Sequence, residues 1–136
     1  MRRDFTFEDD ERNEIRSPPG FADEFREFLA EAISERRWHI WVAEVEGRVV
    51  AHVFVALVDK VPRPGHGNRR IAYLTNVYTR PAFRRQGIGA QLIKRAQDAA
   101  SEADVELMIV WPGDESVEFY KRLGFAPSDE PLIWDA

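Results

Sequence analysis

The sequence predicts one α/β domain in which helices cover a mixed (α+β) β-sheet, and three observations support this fold class. Two apolar stretches, Trp38–Val45 and Arg48–Val58, are separated only by Glu46-Gly47 and therefore form an antiparallel hairpin. A strand, a turn and a long helix follow one another between Ile71 and Ala103. The nearly continuous apolar run Val105–Trp111 is typical of a parallel strand covered on both faces.

Length and composition are those of an ordinary globular protein. The chain has 136 residues, of which 44% are hydrophobic and 32% charged, enough for one domain with a single core. A net charge of −5, without a basic run interleaved with aromatic residues, argues against a nucleic-acid partner. The apolar stretch Val49–Val58 is too short to span a bilayer and contains His52, so no membrane partner is expected.

The residue usage also bears on the compartment of the protein. The sequence contains no cysteine, which excludes disulfides, thiol nucleophiles and thiolate metal sites. Met1–Asp4 leads into an acidic segment and not into the apolar core of a signal peptide. We therefore expect a cytoplasmic protein.

The N-terminal region divides into an arm and the start of the domain. Residues 1–20 are rich in charge, and Pro18-Pro19-Gly20 breaks the chain, so we predict a flexible or partner-dependent arm. Residues 21–136 form the single domain. It begins with a strongly amphipathic helix from Phe21 to about Ser34.

A long connection separates the hairpin from the central strand. The segment Asp59–Arg70 contains two prolines and two glycines and is predicted to be a loop. Such a loop either lines a site or is a solvated connection, and the sequence favours neither.

The stretch around which the chain is organised is the joint between the central strand and its helix. Arg80-Pro81 ends the strand, because proline cannot donate a hydrogen bond to a sheet. The helix that follows has one buried stripe, made by Gly89, Leu92, Ile93, Ala96, Ala99, Ala100 and Ala103.

This joint predicts an anion site. The first N–H groups of a helix lack intrahelical acceptors, and the helix dipole makes that end positive. Gly87 and Gly89 remove the side chains that would keep an anion away, while Arg84 and Arg85 add positive charge, so we favour a phosphate or pyrophosphate ligand. The plainer alternative is a closely packed helix start with two solvated arginines.

Two common phosphate motifs are excluded at this joint. A Walker loop requires Gly-Lys followed by Ser or Thr, whereas the sequence reads Gly89-Ala90-Gln91. A dinucleotide-binding fingerprint requires a third glycine where Leu92 stands.

The C-terminal part supplies a further helix and the end of the sheet. Pro112-Gly113-Asp114 turns the chain, and Ser116–Leu123 forms a short helix that Gly124 caps in the left-handed conformation. Phe125–Trp134 is predicted to add one or two closing strands.

Two motifs resemble those of the GCN5-related N-acetyltransferase (GNAT) family. Arg84-x-x-Gly87-x-Gly89, after a strand ending at Arg80-Pro81, is similar to the acetyl-CoA-binding motif of that family. Trp111-Pro112 and then Ser116 to Phe125 are similar to its second motif. The resemblance covers about Trp38 to Phe125, and two motifs in the right order are more specific than either alone.

The resemblance implies a fold, a cofactor and a set of contacts. The family has a mixed sheet whose two motif strands splay apart, and the pantetheine arm of acetyl-CoA enters the gap. The main chain of Val77 and Thr79 is then expected to hydrogen-bond the pantetheine amides. The pyrophosphate is expected at the turn and the helix start, which comprise Arg84, Arg85, Gln86, Gly87, Ile88, Gly89 and Ala90.

The sequence departs from the family pattern in two places. The first strand is either Asp4–Glu8 or missing, so the first strand and helix are shortened or lacking. A missing strand would leave the edge at Trp38–Val45 unpaired, which favours a homodimer. Gly113 replaces a frequent asparagine that contacts the cofactor arm, so Ser116 or main chain must substitute for it.

Tyr120 is the predicted general acid. Direct attack of an amine on a thioester requires no protein nucleophile, but the departing thiolate needs a proton. The resemblance places the Tyr120 phenol beside the thioester sulfur, and the alternative is a core tyrosine next to Phe119. The main-chain N–H of Val77 is the expected donor to the oxyanion.

The base stays unassigned. The candidates are Glu44, His52, Tyr73, Asn76, Tyr78 and Glu106, and water is a further carrier of the proton. A lone histidine in an apolar strand is more often a core residue than a catalyst. His39, His52 and His66 lack metal-ligand spacing, so we predict no metal.

The leading hypothesis is therefore an N-acetyltransferase that uses acetyl-CoA to acetylate a small-molecule or protein amine. The alternative is a module on the same scaffold that binds acyl-CoA or dimerises without turnover. Trp38, Trp41 and Trp111 are predicted to be core residues, because their strands have the pattern of buried strands.

Overall fold

The computed structural model describes residues 19–65 and 69–135. Within these ranges the chain forms three α-helices and four strands, joined by two short 3₁₀ turns. In chain order they are α1 (Phe21–Glu35), β1 (Trp38–Val45), β2 (Arg48–Asp59), β3 (Arg70–Thr79), the turn Pro81–Phe83, α2 (Ile88–Glu102), β4 (Val105–Val110), the turn Asp114–Ser116 and α3 (Val117–Arg122). No helix in the described part of the chain has the length and apolarity needed to cross a bilayer.

The strands form one mixed sheet in the order β1-β2-β3-β4. The first three strands are antiparallel, and β4 lies parallel to β3 because α2 returns the chain to the same end of the sheet. Glu46 and Gly47 join β1 to β2 with φ values of 50° and 74°. These positive angles match the twist of a two-residue hairpin, so the predicted hairpin is confirmed.

Helices pack on both faces of the sheet. On one face, here called the α2 face, α2 and α3 bury an apolar cluster that includes Val53, Leu74 and Ile93. On the opposite face, here called the α1 face, Phe25 of α1 packs 6.4 Å from Phe54, measured between ring centroids. A second ring of α1, Phe28, packs edge-to-face on Trp38 at 5.4 Å, so α1 covers mainly the β1–β2 half.

A bulge interrupts β3 where it pairs with β2. His52 lies opposite Tyr78, whereas Phe54 lies opposite Thr75, so β3 carries one more residue than β2 between these pairs. Asn76 takes the left-handed conformation there, with φ 49°. The His52 Nδ1 atom lies 2.7 Å from the Asn76 carbonyl oxygen, and because a carbonyl only accepts, Nδ1 carries the proton.

The pairing of β3 with β4 ends just before the bulge. Their last pair is Leu74 with Val110, whereas β3 continues to Thr79. The segment Thr75–Thr79 therefore has no strand pairing on its β4 side among the described strands. This is the split that the family resemblance predicts.

The elements of the structure differ from the sequence expectations at several places. The predicted closing strands within Phe125–Trp134 are wrong, because this segment is irregular and Leu132 is 99% exposed. The interpretation of β1 as a buried strand is also wrong for one of its faces, since Val42 is 52% exposed. Residues 1–18 of the predicted arm, with the optional first strand Asp4–Glu8, lie outside the described residues.

The end of α3 agrees with the sequence. Gly124 follows the helix with φ 88°, an angle that glycine adopts without strain. Its N–H donates to the Lys121 carbonyl at 3.0 Å and so satisfies one of the last carbonyls of the helix. The predicted left-handed cap is confirmed.

The bulge generates a stability prediction. Asn76→Val places a β-branched residue at φ 49°, and we expect a loss of about 2 kcal/mol in the free energy of unfolding. Asn76→Gly removes the same amide but adopts this φ without strain, so we expect a change within about 0.5 kcal/mol. Urea unfolding of both variants measures the difference, and equal losses would show that the amide and not the backbone angle matters.

Candidate active site

The turn between β3 and α2 presents a row of backbone N–H groups. Arg85 and Gly87 both have positive φ, 60° and 76°, and this double reversal leads into the first residue of α2, Ile88. The first bond of the helix is from the Gln91 N–H to the Gly87 carbonyl, at 3.0 Å. Among residues 19–65 and 69–135, no acceptor takes a hydrogen bond from the amides of residues 85–90.

Glycine is needed at the two positions of the turn for different structural reasons. Gly87 is the N-cap residue of α2, and its φ of 76° is one that L-residues rarely adopt. Gly89 has an ordinary conformation, but a Cβ there would lie 3.4 Å from Thr79 Oγ1 and 3.8 Å from Phe119 Cζ. Glycine at this position therefore lets the start of α2 approach both β3 and α3.

Two side chains of the turn hydrogen-bond to the backbone, and a third is exposed to solvent. The Arg84 Nε atom donates to the Thr79 carbonyl at 2.9 Å, and its guanidinium lies 5.7 Å from the centre of the Tyr78 ring. Gln86 Nε2 donates to the Ala82 carbonyl at 3.3 Å. Arg84 and Gln86 thus brace the turn, and Arg85, which is exposed, adds its charge at the mouth of the row of amides.

Val77 and Thr79 lie on the part of β3 that extends beyond β4. Val77 follows the left-handed Asn76 directly, so the bulge sets the direction of its N–H. The Thr79 carbonyl already accepts the Arg84 bond, which leaves one lone pair of that oxygen for another donor. Both residues therefore border the split, and their contacts with a ligand stay a prediction.

Tyr120 lies on α3 with its ring in the apolar cluster of the α2 face. The side chain is buried, and its ring meets Phe119 at 5.3 Å and Phe125 at 5.6 Å, between ring centroids. Burial raises the pKa of the Tyr120 hydroxyl above its ordinary value of 10.0. The group is therefore a protonated donor at neutral pH.

The same cluster connects the parts of the site. It contains Tyr120 and Leu92, and Val77, Ile88 and Phe119 pack against it. The bulged end of β3, the start of α2 and the phenol of α3 are thus held by one body of apolar contacts. Of these residues, Val77, Ile88 and Tyr120 are site residues predicted from the sequence, and their roles stay predictions.

Ser116 stands at the start of α3. Its hydroxyl donates to the Gly113 carbonyl at 2.9 Å, and a Cβ added at Gly113 would lie 3.9 Å from Ser116 Oγ. The hydroxyl oxygen keeps its acceptor capacity, so Ser116 is available to a ligand N–H group. Its replacement of the family asparagine stays a prediction.

Two of the base candidates lie away from the split. Glu106 is near the start of β4, and the hydrogen bond from Lys60 at 2.6 Å lowers the pKa of its carboxyl against the opposing effect of burial. Because β3 and β4 part after Val110, Glu106 lies at the end of β4 that is remote from the split. Glu44 is exposed on the edge strand β1.

The remaining candidates lie nearer to the bulge. His52 is buried and bonded to the Asn76 carbonyl, and its ring packs 5.3 Å from Phe54. This is the environment of a structural core histidine that holds the bulge. Tyr78 is buried beneath the Arg84 guanidinium, and Tyr73 packs on Trp111.

The prediction that Trp111 is a core residue is wrong. Its side chain is 60% exposed. It is the first residue after β4 and follows the last β3–β4 pair, so no strand among the described residues pairs with it. The adjacent Pro112, which ends a strand, is the signal that marks it as a rim residue.

The residues at the turn have the chemistry of an anion site. Open amides and the exposed Arg85 can attract an anion, the end of β3 has a free edge on its β4 side, and the buried Tyr120 phenol is a proton donor. Within the described ranges, no group of three or more His, Asp or Glu residues is arranged to hold a metal ion.

Comparisons with known proteins agree with this geometry. Residues 4–125 match the family model described as "Acetyltransferase (GNAT) family". An "uncharacterized N-acetyltransferase" of Methanocaldococcus jannaschii is 30% identical over a match of 102 residues, and the match covers 69% of this chain and 42% of that protein. The chain thus spans about two fifths of the length of that archaeal relative.

Solved structures share the fold. One described as a "predicted acetyltransferase with acetyl-CoA" from Clostridium acetobutylicum has a TM-score of 0.77 at 23% identity, and the match covers 98% of this chain and 84% of that one. A GCN5-related N-acetyltransferase from Ralstonia eutropha JMP134 has a TM-score of 0.67 at 26% identity, covering 83% and 74%. With a family match over most of its length and this fold, the chain belongs to the GNAT acetyltransferase family.

Proposed function

We propose that this protein transfers the acetyl group of acetyl-CoA to a primary amine, with Tyr120 as the general acid. The observation that carries the proposal is the row of open amides at residues 85–90, which opens beside the split between β3 and β4. A diphosphate held there would direct a pantetheine arm along the exposed edge of β3.

The residues present fit this cofactor. The amides and the helix dipole favour a doubly charged group, and the exposed Arg85 adds a formal charge. The free edge of Thr75–Thr79 offers main-chain donors and acceptors to the amide groups of pantetheine, in the manner of an added strand. Ser116 offers a hydroxyl from the other side of the split.

The chemistry assigns one task to each group. Acetyl-CoA supplies the acetyl group activated as a thioester. The Val77 N–H stabilises the negative charge on the carbonyl oxygen as the amine nitrogen bonds to the carbonyl carbon. Tyr120 gives its proton to the sulfur as the carbon–sulfur bond breaks, and it regains a proton from solvent. The amine proton leaves to water, which needs no dedicated base in the protein.

The cofactor site is tested by a pair of glycine variants. Gly87→Ala strains a φ of 76° in the turn, and Gly47→Ala strains a φ of 74° in the hairpin turn, with nothing within 4 Å of the added Cβ at Gly47. We expect each to cost about 1–2 kcal/mol of stability. Only Gly87→Ala should weaken coenzyme A binding, by roughly tenfold or more, in isothermal titration calorimetry.

The same titration distinguishes coenzyme A from a general nucleotide. Dephospho-CoA should retain binding, since it keeps the diphosphate and the pantetheine arm, whereas ATP should bind much more weakly. Equal weakening of coenzyme A binding by both glycine variants, or tighter binding of ATP, would contradict a site at this turn.

The acid is tested by Tyr120→Phe, which removes one oxygen atom and keeps the ring packing. We expect kcat for thiol release in the presence of an amine to fall by roughly 10²–10⁴ while the Kd for acetyl-CoA is unchanged. Ser101→Ala removes an exposed hydroxyl on α2 and serves as the control. Equal thiol release by Tyr120→Phe and the native protein would refute the assignment. Cofactor binding without turnover on any amine would favour a non-catalytic module.

The pH dependence of kcat gives an independent check on Tyr120. Because burial raises the pKa of the phenol, the acid stays protonated until the pH exceeds 10.0, so kcat should show no decline attributable to Tyr120 below that pH. Above it, the native protein should lose activity as the phenol ionises, and Tyr120→Phe should lack this decline. Initial rates corrected for spontaneous thioester hydrolysis measure both profiles.

A further inference from the structure

A pair of aromatic rings, one exposed and one half-buried, lies at the mouth of the split. The Trp111 indole is 60% exposed and meets the Tyr73 ring edge-to-face, with 5.2 Å between ring centroids. Tyr73 itself is half-buried in β3. A large aromatic side chain held by a second ring yet open to solvent offers a free apolar surface.

The strand register places this pair on the α1 face. Tyr73 lies opposite Ile109, so Trp111, two residues further along, projects to the same side as Ile109 and Tyr73. The preceding residues of the two strands, Ala72 and Met108, point the other way and belong to the cluster of the α2 face. Trp111 is also the first residue beyond the last β3–β4 pair.

Apolar side chains continue from this pair along the α1 face. Val58 and Leu107 are 52% and 41% exposed, and both flank Ile71 in the register. Of the described helices, α1 packs on β1 and makes its ring contacts with Phe54 and Trp38, on the other half of this face. No helix of the described residues covers the rest of this face. We call that set the apolar patch, in which three members are exposed and three half-buried: Val58, Leu107 and Trp111, and Ile71, Tyr73 and Ile109.

The proposed acid and the open amides lie on the opposite side of the sheet. Tyr120 packs in the cluster of the α2 face, and α2 itself begins at the turn. The leaving thiolate therefore receives its proton on the α2 face. An amine attacks the carbonyl carbon from outside the plane that contains the sulfur, so the leaving group by itself does not select a face of the sheet. Because α2 and α3 cover the α2 face, the acceptor has access from the α1 face, where Trp111 stands.

We propose that Trp111 and Tyr73 form the wall that holds the acceptor, and that the acceptor is a primary amine carrying an aromatic ring. This rests on the proposed function, which it extends by naming the substrate class. A ring on the acceptor packs against the indole, its short alkyl link reaches the split, and its nitrogen meets the thioester carbonyl.

The character of the patch favours an aromatic body over a charged one. All six side chains of the patch are uncharged. Glu106, next to Leu107 in the sequence, is paired with Lys60 at 2.6 Å, and the pair has no net charge. A second ammonium group would lose hydration against such a surface without gaining a carboxylate from it. An aromatic ring gains apolar burial together with an edge-to-face contact.

Binding is tested without any need for turnover. The chain has four tryptophans, so 5-fluorotryptophan labelling gives a simple ¹⁹F NMR spectrum, and Trp111→Phe assigns the resonance. With coenzyme A present, 2-phenylethylamine should shift the Trp111 resonance at concentrations where propylamine and putrescine leave it unchanged. The Trp134 resonance, from a side chain 85% exposed, is the control and should not move.

Other outcomes overturn the inference. It fails if no amine shifts Trp111, if putrescine shifts it more than phenylethylamine, or if Trp134 responds equally. It also fails if the Trp111 resonance depends on protein concentration and not on amine, because the patch would then be an interface between copies of the chain.

Kinetics separate this inference from the proposed function. Trp111→Ala should raise KM for 2-phenylethylamine by roughly five- to twentyfold, with little effect on KM for propylamine or acetyl-CoA. Trp134→Ala, which removes an exposed indole elsewhere, should leave all three constants unchanged. Absence of turnover on every amine would refute the proposed function, whereas the NMR shift would still decide whether the patch binds arylalkyl amines.

Discussion

Backbone amides without a partner inside the described part of the protein are the constraint on which the rest of the site depends. The N–H groups of residues 85–90 stay open because Gly87 caps α2 without a side-chain acceptor and Gly89 lets the helix start against β3. Burying such groups without a ligand would be costly, so the turn has to remain at the surface. Thr75–Thr79 likewise has no strand pairing on its β4 side among the described strands, so main-chain groups are open along this strand edge as well.

The bulge and the cluster of the α2 face hold these open groups in place. The bond from His52 to the Asn76 carbonyl fixes the bulge, and Arg84 ties the turn to the Thr79 carbonyl. Tyr120 joins the other side through its apolar contacts. These bonds and apolar contacts therefore hold main-chain groups that are themselves without hydrogen-bond partners. Such a site is preorganised, whereas a flexible loop would first have to become ordered on binding.

The sequence predicts the features that depend on local chemistry. The hairpin at Glu46-Gly47, the end of β3 at Arg80-Pro81 and the start of α2 follow from the residues that these turns require. The bulge at Asn76 does not follow from the sequence, because one extra residue in a strand leaves the local pattern nearly intact. The exposure of Trp111 is missed for a related reason: an apolar run predicts a strand but does not show where its neighbour departs.

The irregular C-terminal segment has a consequence for the protein in solution. β4 is the last strand of the sheet as described, and Leu132, Ile133 and Trp134 are 99%, 65% and 85% exposed. A net charge of −5 keeps copies apart at neutral pH, and acidification neutralises that repulsion. Within the described residues the outer edge of β4 has no strand partner, and this edge together with the three exposed apolar side chains is then a template for self-assembly. We therefore expect mildly acidic or strongly salting-out buffers to promote precipitation.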